Sequence, residues 1–153
     1  MEQVSIIGPG EGETLSLGPA MQMRILEDGS STGHRLGFVE GRLPPHTSGP
    51  PQHRHALHEE AFYVVSGTVQ FTVGDQDHLA GPGTFVMVPT GAPHTFANPG
   101  DDEAVMLTVF TPDQYLTFFR ELREMAAAGP PDVKDTVALM ARYGTTTSTE
   151  YSP

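Results

Sequence analysis

A chain of 153 residues is long enough for one domain with its own core. Asp plus Glu number 19 against 8 Lys plus Arg, and the resulting charge of −11 disfavours nucleic acid and anionic membranes as partners. Cysteine is absent, which excludes a disulfide framework and a thiolate metal site.

Met1 to Val4 lacks a cationic start followed by a long apolar run, so no signal peptide is expected. No stretch approaches the roughly 18 apolar residues of a membrane span. A cytoplasmic protein without membrane contact is the expectation. Glycine (17) and proline (14) fall between short apolar runs, the punctuation of a many-stranded β protein.

Val4 to Ile7 is expected as a short edge strand. The glycines of Gly8 to Gly12 suggest a phosphate loop, but Pro9 lacks an amide donor and Glu11 and Glu13 repel phosphate. A flexible loop is the reading there. Met21, Met23 and Ile25 alternate with polar neighbours in Met21 to Leu26, which predicts a half-buried strand. Met23 is also a candidate for the wall of a ligand pocket, where a thioether adapts to a flat molecule. Glu27 to Gly33 is a turn, and Leu36 to Leu43 is a strand ended by Pro44 and Pro45. His34 and His46 lie in loops and are read as solvent-facing.

Two stretches carry the chemistry. Gly49 to Gly67 reads GPPQHRHALHEEAFYVVSG, and Gly83 to Asn98 reads GTFVMVPTGAPHTFAN. His53 and His55 are two apart, so an extended segment projects both imidazoles from one face. Glu60 shares parity with Phe62 and Val64, and His94 shares parity with Phe96 and Asn98. Three imidazoles and a carboxylate form an N₃O donor set for one divalent transition ion: Fe, Mn, Ni, Co, Cu or Zn. Glu59 competes with Glu60, but Glu60 has the pocket-facing parity. His58 shares that parity and is placed at the cavity mouth, in a supporting rather than a coordinating role.

His53, His55, Glu60 and Gly67 fit the spacing H-x-H-xxxx-E-xxxxxx-G. Gly83, Pro89, Gly91, His94 and Asn98 fit G-xxxxx-P-x-G-xx-H-xxx-N. These resemble the two motifs of the cupin superfamily, and the resemblance covers about residues 36 to 111. It implies an all-β fold, a cupin jelly-roll β-barrel, with His53, His55, Glu60 and His94 as metal ligands. Each motif occurs once, so one barrel is expected. One position departs: the family's leading glycine, six before the first histidine, is Thr47 here, and Gly49 with Pro50 and Pro51 is expected to turn the chain instead.

Ala61 to Ser66 and Thr68 to Val73 are expected to form a hairpin through Ser66 and Gly67. Val69, Phe71 and Val73 form one apolar face. Gly74 and Asp75 make a second hairpin into Gln76 to Leu79, where His78 is exposed. Thr84 to Val88 follows, then the corner Pro89 to Gly91 that presents His94. Asn98 is expected to tie down a turn. Pro99 to Glu103 is a solvated acidic loop, and Ala104 to Phe110 is a strand buried on both faces.

Two helices are expected after the barrel, over 112–144. Thr111 is the predicted cap of the first, with Pro112 at its first position and Gln114 reaching back. Tyr115, Phe118, Phe119, Leu122, Met125 and Ala126 form a stripe to pack on the barrel or a second subunit. Asp132 to Tyr143 is the second helix, and 145–153 is expected to be a frayed tail. The barrel is thus assigned to 1–111.

Appended helices make the chain similar to quercetin-dioxygenase-like cupins. That resemblance implies a homodimer and a metal-dependent dioxygenase acting on a small aromatic or enolisable, flavonol-like compound. Glu60 would take the substrate proton, and Phe62, Phe71 and Phe96 would face its ring. Two other readings fit the same donors: a Zn²⁺-dependent polyketide cyclase, and a non-catalytic ligand-binding or sensor cupin.

Overall fold

The computed structural model describes residues 4–18 and 21–153. The expectation drawn from Met1 to Gln3 therefore lies outside the described residues. In chain order the first strands are β1 (Glu13–Ser16), β2 (Gln22–Glu27), β3 (Gly37–Leu43), β4 (Thr47–Ser48), β5 (His53–His55) and β6 (Glu59–Ser66). There follow β7 (Val69–Val73), β8 (Gln76–Ala80), β9 (Phe85–Val88), β10 (Thr95–Asn98) and β11 (Ala104–Thr111). Helices α1 (Tyr115–Ala127) and α2 (Val133–Arg142) precede a last strand, β12 (Thr145–Thr147).

One sheet has the order β1-β2-β3-β11-β6-β9, the second β4-β10-β7-β8, and β12 pairs with β5. Facing sheets with these crossovers make a jelly-roll barrel. The strand β11 lies between β3 and β6, which is why it reads as apolar almost throughout. Between the sheets, Phe62, Val64, Val69, Phe71 and Met106 form one core. Burying each such side chain contributes roughly 1.5–3 kcal/mol. A second core joins Leu15, Met23, Ile25 and Val39 to Tyr115, Leu116 and Phe118 of α1, and to Leu139 and Met140 of α2. No helix among the described residues is long and apolar enough to cross a membrane.

Four expectations are corrected. Val4 to Ile7 is not a strand: Val4 and Ile6 are exposed. The edge is instead β1, which registers against β2 and drops Leu15 into the core. Ser66 and Gly67 do not close a hairpin either, because β6 and β7 belong to different sheets. Gly67 is the corner between them, at φ +72°, where a Cβ would stand 2.6 Å from the Glu103 carbonyl oxygen. Only glycine fits a left-handed backbone this close to a neighbouring strand.

The predicted cap of α1 does not form. Thr111 remains the last residue of β11, and its hydroxyl donates to Glu59 Oε2 at 2.8 Å. The helix begins at Tyr115 with no side-chain cap from Gln114. Asp132 does cap α2, accepting from the Lys134 amide at 3.1 Å.

Residues 145–153 are not a frayed tail. Thr145 pairs with His55 and Thr147 with His53 in the β12–β5 ladder. Beyond the strand, Ser148 N–H donates to the Gln52 carbonyl and Ser152 N–H to the Gly91 carbonyl. Backbone hydrogen bonding to two separate segments holds the stretch down.

Candidate metal centre

His53 and His55 sit on β5, both buried, with Arg54 between them turned the other way. Period-two alternation places both imidazoles on the inner face, as their spacing predicts. His94, immediately before β10, joins through a bridge between its backbone and that of His53, with N–H···O distances of 2.9 and 3.1 Å. Glu60 enters from β6, buried beside Phe62. The donor nitrogens of His53, His55 and His94 lie within 4.8 Å of one another. Glu60 Oε2 is 2.9 Å from His94 Nε2, and Oε1 is 3.3 Å from His55 Nε2.

Each imidazole is fixed from behind. His53 Nδ1 donates to the Pro51 carbonyl at 2.8 Å, and His94 Nδ1 to the Ala92 carbonyl at 3.1 Å. His55 Nδ1 meets the Thr145 hydroxyl at 2.8 Å. The carbonyl partners of His53 and His94 require a proton on Nδ1, which leaves the Nε2 of a neutral imidazole free to present its lone pair to the interior, the form a metal requires. His55 Nε2 is buried without a hydrogen-bond partner, its approach to Glu60 being misaligned. A buried nitrogen left bare among two imidazoles and a carboxylate fits a cation in the cluster.

The electrostatics agree. Burial, reinforced by the neighbouring His94 and His55, pushes the His53 pKa down to about 3. Burial likewise lowers His55, outweighing the attraction of Glu60. Burial opposes ionisation of Glu60 as well, but His55, His58 and His94 together hold its carboxyl well below the usual range. Burial would lower His94 too, yet its contact with Glu60 raises it. An ionised Glu60 carboxylate beside the neutral imidazoles of His53 and His55 is a donor set suited to a divalent ion.

His58 is more enclosed than its expected place at the cavity mouth. It is buried behind Glu60, with Nε2 3.5 Å from Oε1 and its ring 4.1 Å from that of His55. Its Nε2 is also unpartnered, and His55, His58 and Glu60 form a second, overlapping group of donors. The other histidines stand apart. His34 and His46 are surface groups paired with Asp113 and Asp101, and His78 is exposed.

A cavity of about 270 Å³ opens from the cluster, which meets it through His53 and Glu60. Its walls include Met23, Phe62, Phe96 and Met106 of the barrel, and Phe118 and Phe119 of α1. Among the described residues no Lys or Arg lines it. The α1 stripe thus packs across the barrel with its aromatic residues facing the cavity. Two expected wall residues are elsewhere. Phe71 packs behind Phe62 at 5.3 Å in the inter-sheet core, and His58 contacts Tyr115 and Phe110 on the far side of Glu60.

Thr47, in place of the motif glycine, lines the cavity on β4. The close approach has moved to Gly49, where a Cβ would overlap the Phe96 carbonyl oxygen. Asn98 ties the turn as expected: its amide donates to the carbonyls of Leu43, Pro44 and Asp102 and its oxygen accepts from Gly100 N–H. Sequence reasoning missed Thr145 and Tyr115 at the site. The β-branched run Thr145 to Thr147 is the signal that could have found the former.

A family model described as a cupin domain matches residues 39–110, a span that includes His53, His55, Glu60 and His94. Among solved structures, KdgF from Halomonas sp. is 21% identical, covering 72% of this chain and 94% of that one, with a TM-score of 0.63. The polyketide cyclase RemF from Streptomyces resistomycificus is also 21% identical, over 72% of this chain and 80% of that one, with a TM-score of 0.63. A predicted oxalate decarboxylase from Thermotoga maritima is 21% identical, over 71% and 99%, again with a TM-score of 0.63. At such identities the likeness establishes the shared fold. No curated protein sequence matches the chain.

Proposed function

We propose that this chain, which the cupin-domain model matches over residues 39–110, is a metal-dependent dioxygenase acting on a small, uncharged aromatic or enolisable compound of the flavonol type. The observation that carries this reading is the pairing of a buried three-histidine cluster, with the Glu60 carboxylate against two of its members, and an apolar cavity free of Lys and Arg among the described residues. A phosphate ester or a small diacid would find no cationic side chain on those walls. A flat, neutral molecule would find aromatic and thioether surface.

His53, His55, Glu60 and His94 would hold the ion, which supplies Lewis acidity and, for Fe, Mn, Ni or Cu, redox chemistry. The chain supplies the rest. Pro51, Ala92 and Thr145 fix the three imidazole orientations. Glu60 borders both the cluster and the cavity, so its carboxylate is placed to take a hydroxyl proton from a bound substrate. Phe62 and Phe96 exclude water and orient the ring.

The same walls suit a Zn²⁺-dependent polyketide cyclase, which would need no oxygen. Elemental analysis of protein purified without added metal, followed by oxygen-electrode assays with flavonols, catechols and 1,3-diketones, separates the readings. Substrate-dependent oxygen uptake with a redox-active metal supports the dioxygenase. Bound Zn²⁺ with ring closure and no uptake gives the cyclase, and ligand retention without turnover gives a binding protein. Protein that takes up no metal overturns the proposal.

A further inference from the structure

We propose that Thr145 is a positioning residue of the metal centre, contributed by a C-terminal strap outside the cupin core. The inference rests on the metal-site reading above. Its basis is the single buried contact between the Thr145 hydroxyl and His55 Nδ1 at 2.8 Å.

Thr145 lies 90 residues from His55 in sequence and outside the matched span of 39–110. It is 1% exposed, with its backbone paired directly opposite His55. The strap then continues along β5 to Gln52 and reaches Gly91, three residues before His94. It therefore touches both chain segments that bring histidines to the site.

A threonine hydroxyl can donate or accept, so this contact permits two His55 tautomers. Protonation at Nε2 would leave a buried N–H with no partner, because the 3.3 Å approach to Glu60 is misaligned. That is costly. Protonation at Nδ1 lets His55 donate to Thr145 Oγ1 and frees the Nε2 lone pair. The Tyr115 ring, 4.7 Å from that of His55, encloses the contact. Thr145 thus supplies the acceptor that the cation-binding tautomer needs, and β12 holds it there. Comparable supports of metal-bound histidines are worth about 10–100-fold in affinity.

The test compares wild type, Thr145→Val and Thr145→Ser by two measurements. Competition titration with Zn²⁺ and a chelator should show Thr145→Val weakened about tenfold or more, with Thr145→Ser near wild type. Nitrogen-15 NMR of the metal-free proteins should place the His55 proton on Nδ1 in wild type and Thr145→Ser, and move it or divide it between the nitrogens in Thr145→Val. Circular dichroism and thermal melting of each variant check that β12 remains docked. If Thr145→Val melts early, Thr145→Ser carries the test, and a tautomer that differs from wild type despite its retained hydroxyl overturns the inference. Unchanged affinity and tautomer in a folded Thr145→Val protein also overturn it. Wild type that binds no Zn²⁺ defeats the metal-site reading itself, a result distinguishable from either of these.

Discussion

His94 Nε2 stands 2.9 Å from Glu60 Oε2, a buried contact between residues 34 apart in sequence. It joins the two motifs across the barrel, since Glu60 belongs to β6 of one sheet and His94 leads into β10 of the other. Two lone-pair carriers at that distance need a cation between them, either a proton or a metal.

Replacing Glu60 by Gln preserves shape but removes the negative charge. Metal affinity should fall at least about tenfold in a competition titration. Glu59→Gln should leave it unchanged, because Glu59 accepts from the Thr111 hydroxyl outside the cluster. Equal losses would mean that the wrong carboxylate has been assigned.

His94→Ala removes one of three clustered imidazoles and leaves Glu60 without its closest partner. Elemental analysis should find the variant depleted of metal relative to wild type. A full equivalent retained would reject His94 as a ligand.

Gly67→Ala forces a side chain into a φ of +72° and against the Glu103 carbonyl. Backbone strain of this kind costs about 1–3 kcal/mol. Urea denaturation should show that loss with an unchanged slope. An unaltered midpoint would argue against the tight corner between β6 and β7.

Asp28 supplies a pH prediction away from the metal. Hydrogen bonding from Ser30, then from Arg120, lowers its pKa from 3.8 to about 2. A folded-state pKa below the unfolded value stabilises the protein in full above the unfolded pKa. That contribution is lost as pH falls from 3.8 through about 2. Arg120→Gln should therefore reduce the acid-induced drop in the denaturant midpoint over this window. An identical drop in both proteins would dismiss the Arg120 contribution.

The barrel and its donors were legible because their signals are local. His53 and His55 alternate with Arg54, Glu60 keeps step with Phe62, and glycine and proline mark the corners. What escaped depends on partners distant in sequence. Thr111 has a capping-box pattern, yet Glu59 across the sheet takes its hydroxyl. Gly67 has hairpin chemistry, but the strands it joins part into separate sheets. Thr145 to Thr147 looks polar and dispensable until β5 provides the ladder that its backbone completes. Phe71 has the same alternation as residues on a cavity wall, and only the packing of Phe62 in front of it decides otherwise.

The distance in sequence between the donors also bears on how the protein should be charged with its ion. His53 and His55 are neighbours in any unfolded chain, whereas Glu60 meets His94, and His55 meets Thr145, only after contacts spanning 34 and 90 residues have formed. Contacts of such span form slowly. A transition ion offered during refolding would meet a bare His-x-His chelate first and could cross-link half-built molecules. Renaturation in chelator, with the ion introduced afterwards, is the order of addition that this architecture favours.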